Sequence, residues 1–577
     1  MEPNQRQGPG AARVQGVTLA GAAAAVVTVQ ARFEPAGDDA KGRREVAITG
    51  LPDAVIRESR GRLLAALAAR GVVLPAGRLL LHLAPAALRK EGELLDLPLV
   101  LGAAAAAGAL PPAALDGALF LGEVALDGGL RAVPGGLAAA DAAVRAGLRD
   151  LVAPPATARE AAALPGVRAF ACEDLTEVLA LLSGTPAAPV RPARDEDPDD
   201  PLAHDRPLLV DEVRGQALGK RALEVAAAGG HGLLFTGPPG AGKSLLARAL
   251  VDLLPPLSDD ERVEVTRVLS AAGRWPGGLA TRRSFRAPHH TTSHAGLVGG
   301  GNPPVPGEIT LAHRGVLFLD ELPEFRRETL EGLRQPLEEG HILVARAGRR
   351  ARLPAAFQLV CARNPCPCGY RGHPKIPCRC APTAVARYAQ RISGPLLDRI
   401  DLHLELTPPP LDALLAPAAA LARPSPADPD RLDAHEAPDA RQASGESAAP
   451  GASDPTDADG PGATAPGTKA HGTATAAQPP PGGDGRARIA RVRAARAAAD
   501  ARQDGPNARL APSDLDRHAP LDGPMRDLLT RAAERLALSA RAVQALRRVA
   551  RTLADLDGAE LPDRDHLAEA LALRRGP

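Results

Sequence analysis

A parallel α/β sheet built to hold a nucleoside triphosphate is the fold class that three features of this 577-residue chain predict. The first is Gly237–Ser244, GPPGAGKS, which fits the phosphate-loop pattern G-x-x-x-x-G-K-[ST]. The second is its setting. HGLLFTGPPG is an apolar strand running into the loop, and KSLLARALVDLL continues as an amphipathic helix whose N-terminus faces the phosphates. The third is Val316–Leu322, VLFLDEL, a buried strand that ends in two carboxylates. Strand and helix alternate over residues 206–410, which calls for a parallel sheet.

Each part of this signature has a chemical reason. Gly237, Pro238, Pro239, Gly240, Ala241 and Gly242 form the expected ATP cradle, because the glycines let backbone N–H groups turn toward a polyphosphate. Lys243 adds a point charge, and Ser244 is placed to hold Mg²⁺ together with Asp320. Glu321 is then the residue that polarises a water against the γ-phosphate. GPPGAGKS alone could be a chance Gly-rich turn; a correctly placed VLFLDE makes chance a poor account.

Bulk properties set outer bounds. The length suggests roughly three to four domains of ~150 residues. Apolar residues make up 45% of the chain but aromatics only 2%, so the cores must be built from Ala, Leu and Val. The net charge of +1 neither favours nor excludes a polyanionic partner. Arg6 and Arg13 precede TLAGAAAAVVTV, which has the outline of a secretory signal. The stretch is Ala-rich with a single Leu, and an ATP motif lies downstream, so a first β-strand and a cytoplasmic location are expected. No apolar run approaches the ~18 residues of a membrane span.

Five segments follow in order. Residues 1–185 form one unit, with strand-like AAAAVVTVQARF, REVAITGLP, RLLLHLAP and LDGALFLGEVAL and helix-like DAVIRESRGRLLAALAARG and GLAAADAAVRAG. Residues 186–205 are an acidic, Pro-rich linker. Residues 206–410 hold the nucleotide motifs. Residues 411–484 have almost no large apolar side chains and are expected to be a disordered linker, with a root-mean-square span of roughly 45 Å. Residues 485–577 are helical in pattern: RARIARVRAARAAADARQ, PMRDLLTRAAERLALSARAVQALRRVARTLADLDG and DRDHLAEALALRR.

Four of the six cysteines fall together: Cys366-Pro-Cys368, nine residues, then Cys378-Arg-Cys380. A disulfide framework does not suit a cytosolic ATPase. Four soft thiolates at this density suit a closed structural Zn²⁺ site. The C-x-C spacing is tighter than the usual C-x₂-C, His373 could replace one ligand, and free thiols are the alternative. Cys172 and Cys361 lie in apolar surroundings and read as small core residues. GHILVARAGRRARLPAAFQLV reads as a β-hairpin turning at Gly348. FRAPHHTTSHAGLVGGG carries His289, His290 and His294, but the Gly-rich loop has no carboxylate nearby, so a metal site is disfavoured.

Longer strings add a family resemblance. GLPDAVIRESRGRL, LAPAALRKEGELLDLPL, LGEVALDGGLRAVPGG, AAGGHGLLFTGPPGAGKS, FRAPHHTTSHAGLVGGG, PGEITLAHRGVLFLDELPEF, NPCPCG and SGPLLDRIDLHLE occur in this order. Together they closely resemble the ComM/YifB group of Mg-chelatase-like AAA+ ATPases, over nearly the whole chain outside residues 411–484. The resemblance implies an AAA+ P-loop core with a helical lid, ring formation as a hexamer, and a motor acting on single-stranded or branched DNA. Branch migration during natural transformation is the best described activity of that group. It also implies roles for single positions. Asn364 matches sensor 1, Arg399 in LLDRIDL matches the arginine finger that reaches a neighbouring subunit's ATP, and Arg541 in LSARAV matches sensor 2. A surface ion pair with Asp398 or Asp401 is the alternative for Arg399. Val213, Gly215 and Gln216 are expected to line the adenine pocket. In this clade the hairpin points into the ring pore, where Arg346, Arg349 and Arg350 would meet DNA phosphates; a solvated hairpin tip is the alternative. The histidine loop is expected to be a mobile insert near the pore or the subunit interface.

LAPAALRKEGELLDLPL and LGEVALDGGLRAVPGGLAAADAAVRAG also resemble the proteolytic domain of Lon-type proteases, an α+β fold of the ribosomal S5 domain 2-like type. That family uses a Ser–Lys dyad. EGELLDLPL has no Ser and GGLAAADAAVRAG has no Lys, so nucleophilic catalysis lacks both of its parts. The fold is expected here without protease activity. The rival readings are a Mg-chelatase-type motor subunit acting on a porphyrin, an ATP-dependent protease, and an assembly scaffold without activity.

Overall fold

The computed structural model describes residues 10–20, 22–35, 44–86, 88, 90, 93–191, 208–275, 277–300, 305–346, 349–411 and 485–574. Of the linkers expected at 186–205 and 411–484, residues 192–205 and 412–484 lie outside the described residues, as do Ala347 and Gly348.

The N-terminal unit is built on a seven-stranded mixed sheet. Its strands are β1 (Ala11–Ala20), β2 (Ala23–Pro35), β3 (Arg44–Thr49), β4 (Gly77–Ala84), β5 (Ala118–Phe120), β6 (Asp150–Ala153) and β7 (Arg168–Ala171), in the order β3-β4-β2-β1-β5-β6-β7. One first strand was expected at TLAGAAAAVVTV; there are two. β1 and β2 pair antiparallel from Ala11↔Arg32 to Ala20↔Ala23, so the apolar stretch spans the turn of a hairpin. Small residues with no strong turn signal hid that reversal. Helix α1 (Ala54–Ala69) is capped by Asp53, whose carboxylate accepts the Ile56 N–H. Helix α2 (Asp96–Ala106) is buried along its whole length and packs on β1 and β2. Such a helix shows no amphipathic period, which is why it was not anticipated. Helices α3 (Gly136–Arg145) and α4 (Pro155–Ala161) follow, and a last helix of the unit spans Leu175–Leu182.

The nucleotide-motif unit has a five-stranded parallel sheet, as the strand–helix alternation predicts. Helix α5 (Ala217–Gly229) leads into β8 (Leu233–Thr236), and the phosphate loop opens helix α6 (Lys243–Leu253). Helix α7 (Asp259–Ala271) and β9 (Phe285–Arg286) follow, then short helix α8 (His294–Val298), β10 (Val316–Leu319) and helix α9 (Arg334–Glu339). The chain continues as β11 (His341–Arg346), β12 (Arg349–Pro354), β13 (Gln358–Arg363) and β14 (Leu402–Glu405). Sheet order is β9-β10-β13-β8-β14, and every neighbouring pair is parallel. β8 and β10 are wholly buried, hence their unbroken apolar sequences. Both motifs sit at the carboxyl ends of these strands, where open α/β sheets place ligands.

The C-terminal helices are α10 (Gly485–Gln503), α11 (Gly523–Leu536), α12 (Ala540–Leu556) and α13 (Arg564–Ala572). The long pattern from Pro524 to Gly558 is two helices, not one. Ala537 takes a left-handed φ of 47°, and Ser539 caps α12 by accepting the Ala542 N–H. One apolar core joins these helices to the sheet, with Ile489, Val492, Leu546 and Val549 packed among Leu233, Phe235 and Leu250. Arg574 donates to the carbonyls of Ile400 and Asp401, both at 2.7 Å. The N-terminal unit meets the nucleotide unit at α7. Asp141 pairs with Arg267 at 3.1 Å, and buried Glu160 accepts from the Leu137 N–H at 2.9 Å and from Ser270 Oγ.

Candidate active site

The phosphate loop leaves β8 with its glycines in conformations that other residues adopt at a cost. Gly240 and Gly242 have φ of 79° and 85°, with open space where a Cβ would stand. Lys243 is almost fully buried. Its ammonium donates to the carbonyls of Gly237 at 2.6 Å and Pro238 at 3.0 Å, and to Asn364 Oδ1 at 3.1 Å. Burial pushes its pKa below the ordinary lysine value, opposed by Asp320 and Glu321. Ser244 Oγ donates to Asp320 Oδ2 at 2.9 Å, so the two expected Mg²⁺ ligands are already side by side. Asp320 Oδ1 accepts the Glu321 N–H at 2.9 Å. Glu321 has φ of 51° and a side chain 53% exposed, which turns its carboxylate out of the strand toward solvent. Loop, lysine, serine, two carboxylates and Asn364 thus form one contiguous set. An anion beside Lys243 and a hard divalent ion between Ser244 and Asp320 fit this donor set.

Gln216 also reaches this set. Its Nε2 donates to the carbonyls of Ala241 and Thr407, each at 2.8 Å, tying the loop to the end of β14. Arg399 and Arg541 lie elsewhere, and together. Both donate to Glu338 Oε1 on α9, at 2.5 Å and 2.7 Å. Arg399 therefore pairs with neither Asp398 nor Asp401, the partners its surface-ion-pair alternative named. These two arginines hold the Glu338 carboxyl below its usual range, Arg541 most strongly. Glu338 was not anticipated; nothing in EEG at the end of a short helix marks it.

β11 and β12 pair antiparallel from His341↔Pro354 to Arg346↔Arg349, so the expected hairpin forms. Arg346 and Arg349 face each other at its last described rung. The basic helix α10 is not a free cationic surface. Arg488 and Arg491 pair with buried Glu224, Arg496 with Asp500 at 2.9 Å, and Arg502 with Asp555 at 2.8 Å.

The four clustered cysteines converge. Their Sγ atoms all lie within 4.8 Å of one another, and Cys366, Cys368 and Cys378 are 3.4 Å to 3.6 Å apart. A tetrahedral ion with thiolates at 2.3 Å needs Sγ–Sγ edges of about 3.8 Å. Backbone N–H groups of Tyr370 and Arg379 pull the Cys368 thiol down to about 6, toward the thiolate a metal requires. His373, the alternative ligand considered, is not part of this converging group, and its Nδ1 accepts the N–H groups of Lys375 and Ile376. The knuckle touches the phosphate loop, since a Cβ on Gly369 would lie 2.8 Å from Pro239 Cδ. The three loop histidines do not converge with carboxylates or thiols into a metal group among the described residues.

In the N-terminal unit, Asp96 is one of the three acidic residues of EGELLDLPL and is 3% exposed. It accepts from Ser59 Oγ, from Arg62 Nη2 at 2.9 Å and from the Val124 N–H at 3.4 Å. Burial raises its pKa, against the pull of Ser59 and Arg62. Such a carboxylate is a structural tie.

A loop-lysine–Ser–Asp–Glu constellation at the carboxyl edge of a parallel sheet, roofed by helices, defines a P-loop NTPase of the AAA+ kind. Comparison with known proteins gives the family. Residues 209–413 match magnesium chelatase, subunit ChlI; residues 38–157 match subunit ChlI of Mg-chelatase; residues 485–574 match the ChlI C-terminal region. The chain is 37% identical to the uncharacterized protein YifB of Escherichia coli over 536 residues, 92% of each chain. It is 35% identical to the competence protein ComM of Haemophilus influenzae over 561 residues, 96% of this chain and 95% of that one. The Magnesium-chelatase 67 kDa subunit of Chlorobaculum tepidum is 27% identical over 156 residues, only 27% of this chain. The chain belongs to the ComM/YifB family of Mg-chelatase-like AAA+ ATPases. No helix among the described residues is long and apolar enough to cross a membrane.

Proposed function

We propose that this protein hydrolyses ATP to drive a homohexameric ring along single-stranded or branched DNA, as a branch-migration helicase. The observation that carries the ATP step is the contact set of Lys243, Ser244, Asp320, Glu321 and Asn364. Lys243 would hold the β- and γ-phosphates, Ser244 and Asp320 the Mg²⁺, and Asn364 and Glu321 the attacking water. Gln216 would fix the loop beneath the nucleotide. Arg399 would serve a neighbouring subunit's ATP, released from Glu338 by ring assembly, and Arg541 beside it would act at the same junction.

The DNA step is supported by the hairpin β11–β12, with Arg346, Arg349 and Arg350 at its end, and by the extent of the likeness to the competence protein ComM. The brief match to the magnesium-chelatase subunit gives less support to a porphyrin-metallating motor. The N-terminal unit is read as a Lon-protease-like domain without peptidase activity, because EGELLDLPL carries no Ser and GGLAAADAAVRAG no Lys. Cys366, Cys368, Cys378 and Cys380 would hold one structural Zn²⁺ that braces the phosphate loop; metal analysis of protein purified without chelators reads it directly. The ATP hydrolysis rate with and without forked DNA tests the whole reading. It predicts a basal rate that forked DNA raises, and a rate indifferent to DNA would refute it.

A further inference from the structure

A second cleft lies at the edge of the nucleotide sheet opposite the phosphate loop. Arg283 and Arg314, which line it, stand just before β9 and β10, at the amino ends of those strands. The facing wall is α10 and the short turn Asn507–Arg509, which supply Arg496 and Arg509. The cleft encloses about 600 Å³, within the range of small-ligand sites. Four guanidiniums from two parts of the chain thus meet in one concave space.

Their hydrogen bonds set them apart. Arg283 is a brace. It donates to the carbonyls of Pro255 at 2.6 Å, Pro256 at 3.1 Å and Arg314 at 2.7 Å, and to Glu261 Oε2 at 2.8 Å. Arg314 uses Nε on Glu264 at 2.9 Å and Nη1 on Glu261 at 3.4 Å. Arg496 uses Nε on Asp500 at 2.9 Å. Arg509 is exposed, and its guanidinium bonds to nothing among the described residues. Desolvation in the cleft, then the charges of Arg314 and Arg496, hold its pKa below the ordinary arginine value, and Glu261 opposes them. The aspartates of the cleft do not relieve it: Asp500 is bound to Arg496, and Asp504 and Asp514 are exposed.

Arg509 is also fixed from behind. Buried Asn507 donates to Asp555 Oδ2 at 2.7 Å, and Arg548 donates to the Leu510 carbonyl at 2.9 Å. The turn that carries Arg509 is therefore anchored to α12. A held guanidinium with its donors unspent, facing other guanidiniums, suits an oxyanion that offers several acceptor oxygens.

We propose that this cleft binds the phosphoryl group of a small ligand, between Arg496 and Arg509 on one wall and Arg314 on the other. The bound group would fasten the C-terminal helices to the amino edge of the sheet. Inorganic phosphate and a phosphate monoester of nucleotide size share this chemistry, and the cleft has room for either. The site uses no residue of the phosphate loop or the hairpin, so it stands apart from the ATP and DNA readings.

The test is calorimetric titration of full-length protein with inorganic phosphate and, separately, with AMP, at constant ionic strength. Lys243→Ala is the starting chain, so that the phosphate loop contributes little. It is compared with the same chain carrying Arg509→Ala or Arg496→Gln. Lys243→Ala should bind one phosphoryl ligand per chain. Either further change should weaken that binding about tenfold or more, the size of a lost charge-assisted hydrogen bond. The ligand should also raise the melting temperature of Lys243→Ala and lose that effect in the double variants. Tighter binding of AMP than of phosphate assigns the site to a monoester, and equal binding assigns it to free phosphate. Equal melting temperatures of the unliganded chains show that the fold is intact; if Arg509→Ala lowers its own, Arg509→Gln replaces it with the same expected and overturning results. A Lys243→Ala chain that binds neither ligand, or binding that survives the loss of Arg509, overturns the proposal.

Discussion

The buried carboxylate of the N-terminal unit and the carboxylates of the nucleotide unit stand in opposite circumstances. Asp96 is 3% exposed and saturated with donors from Ser59, Arg62 and the Val124 backbone. Glu321 is 53% exposed, in left-handed backbone, with a single histidine contact. A carboxylate used for structure is desolvated and fully bonded. One used for chemistry keeps lone pairs free for a water and a metal shell. If Glu321 acts on the attacking water as proposed, two units of one chain use the same functional group in different ways.

The sharpest way to break this contrast is at Glu321. Glu321→Gln keeps size and hydrogen bonding but cannot polarise water, so ATP should bind with little change while hydrolysis falls toward roughly 10⁴-fold. Wild-type turnover in this variant would remove Glu321 from chemistry. Next comes Arg399, whose loss should cost roughly 10³ in rate if it serves a neighbour's ATP. Rings doped with Arg399→Ala subunits should then lose more activity than dilution explains; activity that tracks the wild-type fraction would assign Arg399 to Glu338 alone.

Asp96→Ala tests the other side of the comparison. Leaving Arg62 and the Val124 N–H without their acceptor should destabilise the N-terminal unit by about 3 kcal/mol, read as a lower melting temperature. The ATPase rate of the protein that remains folded should not change. The smallest effect is expected from Asp555, which accepts from Arg502, Arg551 and Asn507. Burial raises its pKa, but those three partners outweigh it and hold the folded value below 3.8. Its contribution is therefore fully present above that value and is lost as the pH falls through it toward the folded pKa. Asp555→Asn should lower stability at neutral pH, where that contribution is present in wild type, and flatten the acid side of the stability curve.

Much of the ATP site was legible because its chemistry is local. GPPGAGKS and VLFLDE encode loop, strand ends and ligands within a few residues each, and the contacts of Lys243, Ser244 and Asp320 follow from them. The hairpin was legible from its alternation about Gly348. Pairings between distant segments were not. Glu338 meets Arg399 and Arg541 across 61 and 203 residues, and His290 meets Glu321 through a loop with no periodicity. Composition also misled. The Ala-rich stretch around Ala20–Ala24 carried no turn residue strong enough to show a hairpin, and α2, buried on all sides, had no polar face to mark it. The partners of Arg488, Arg491 and Arg502 on α10, Glu224 and Asp555, also lie far away in sequence.

The central claim is that ATP hydrolysis at this site moves DNA gripped by the hairpin. Strand displacement on a forked DNA measures it most directly, with wild type, Glu321→Gln and the triple variant Arg346→Ala, Arg349→Ala, Arg350→Ala. The account predicts unwinding by wild type alone, with the triple variant keeping its basal ATPase while losing DNA stimulation and displacement. Each lost phosphate contact should also lower the salt slope of DNA binding by roughly one. A triple variant that binds and unwinds the fork as wild type does would contradict it.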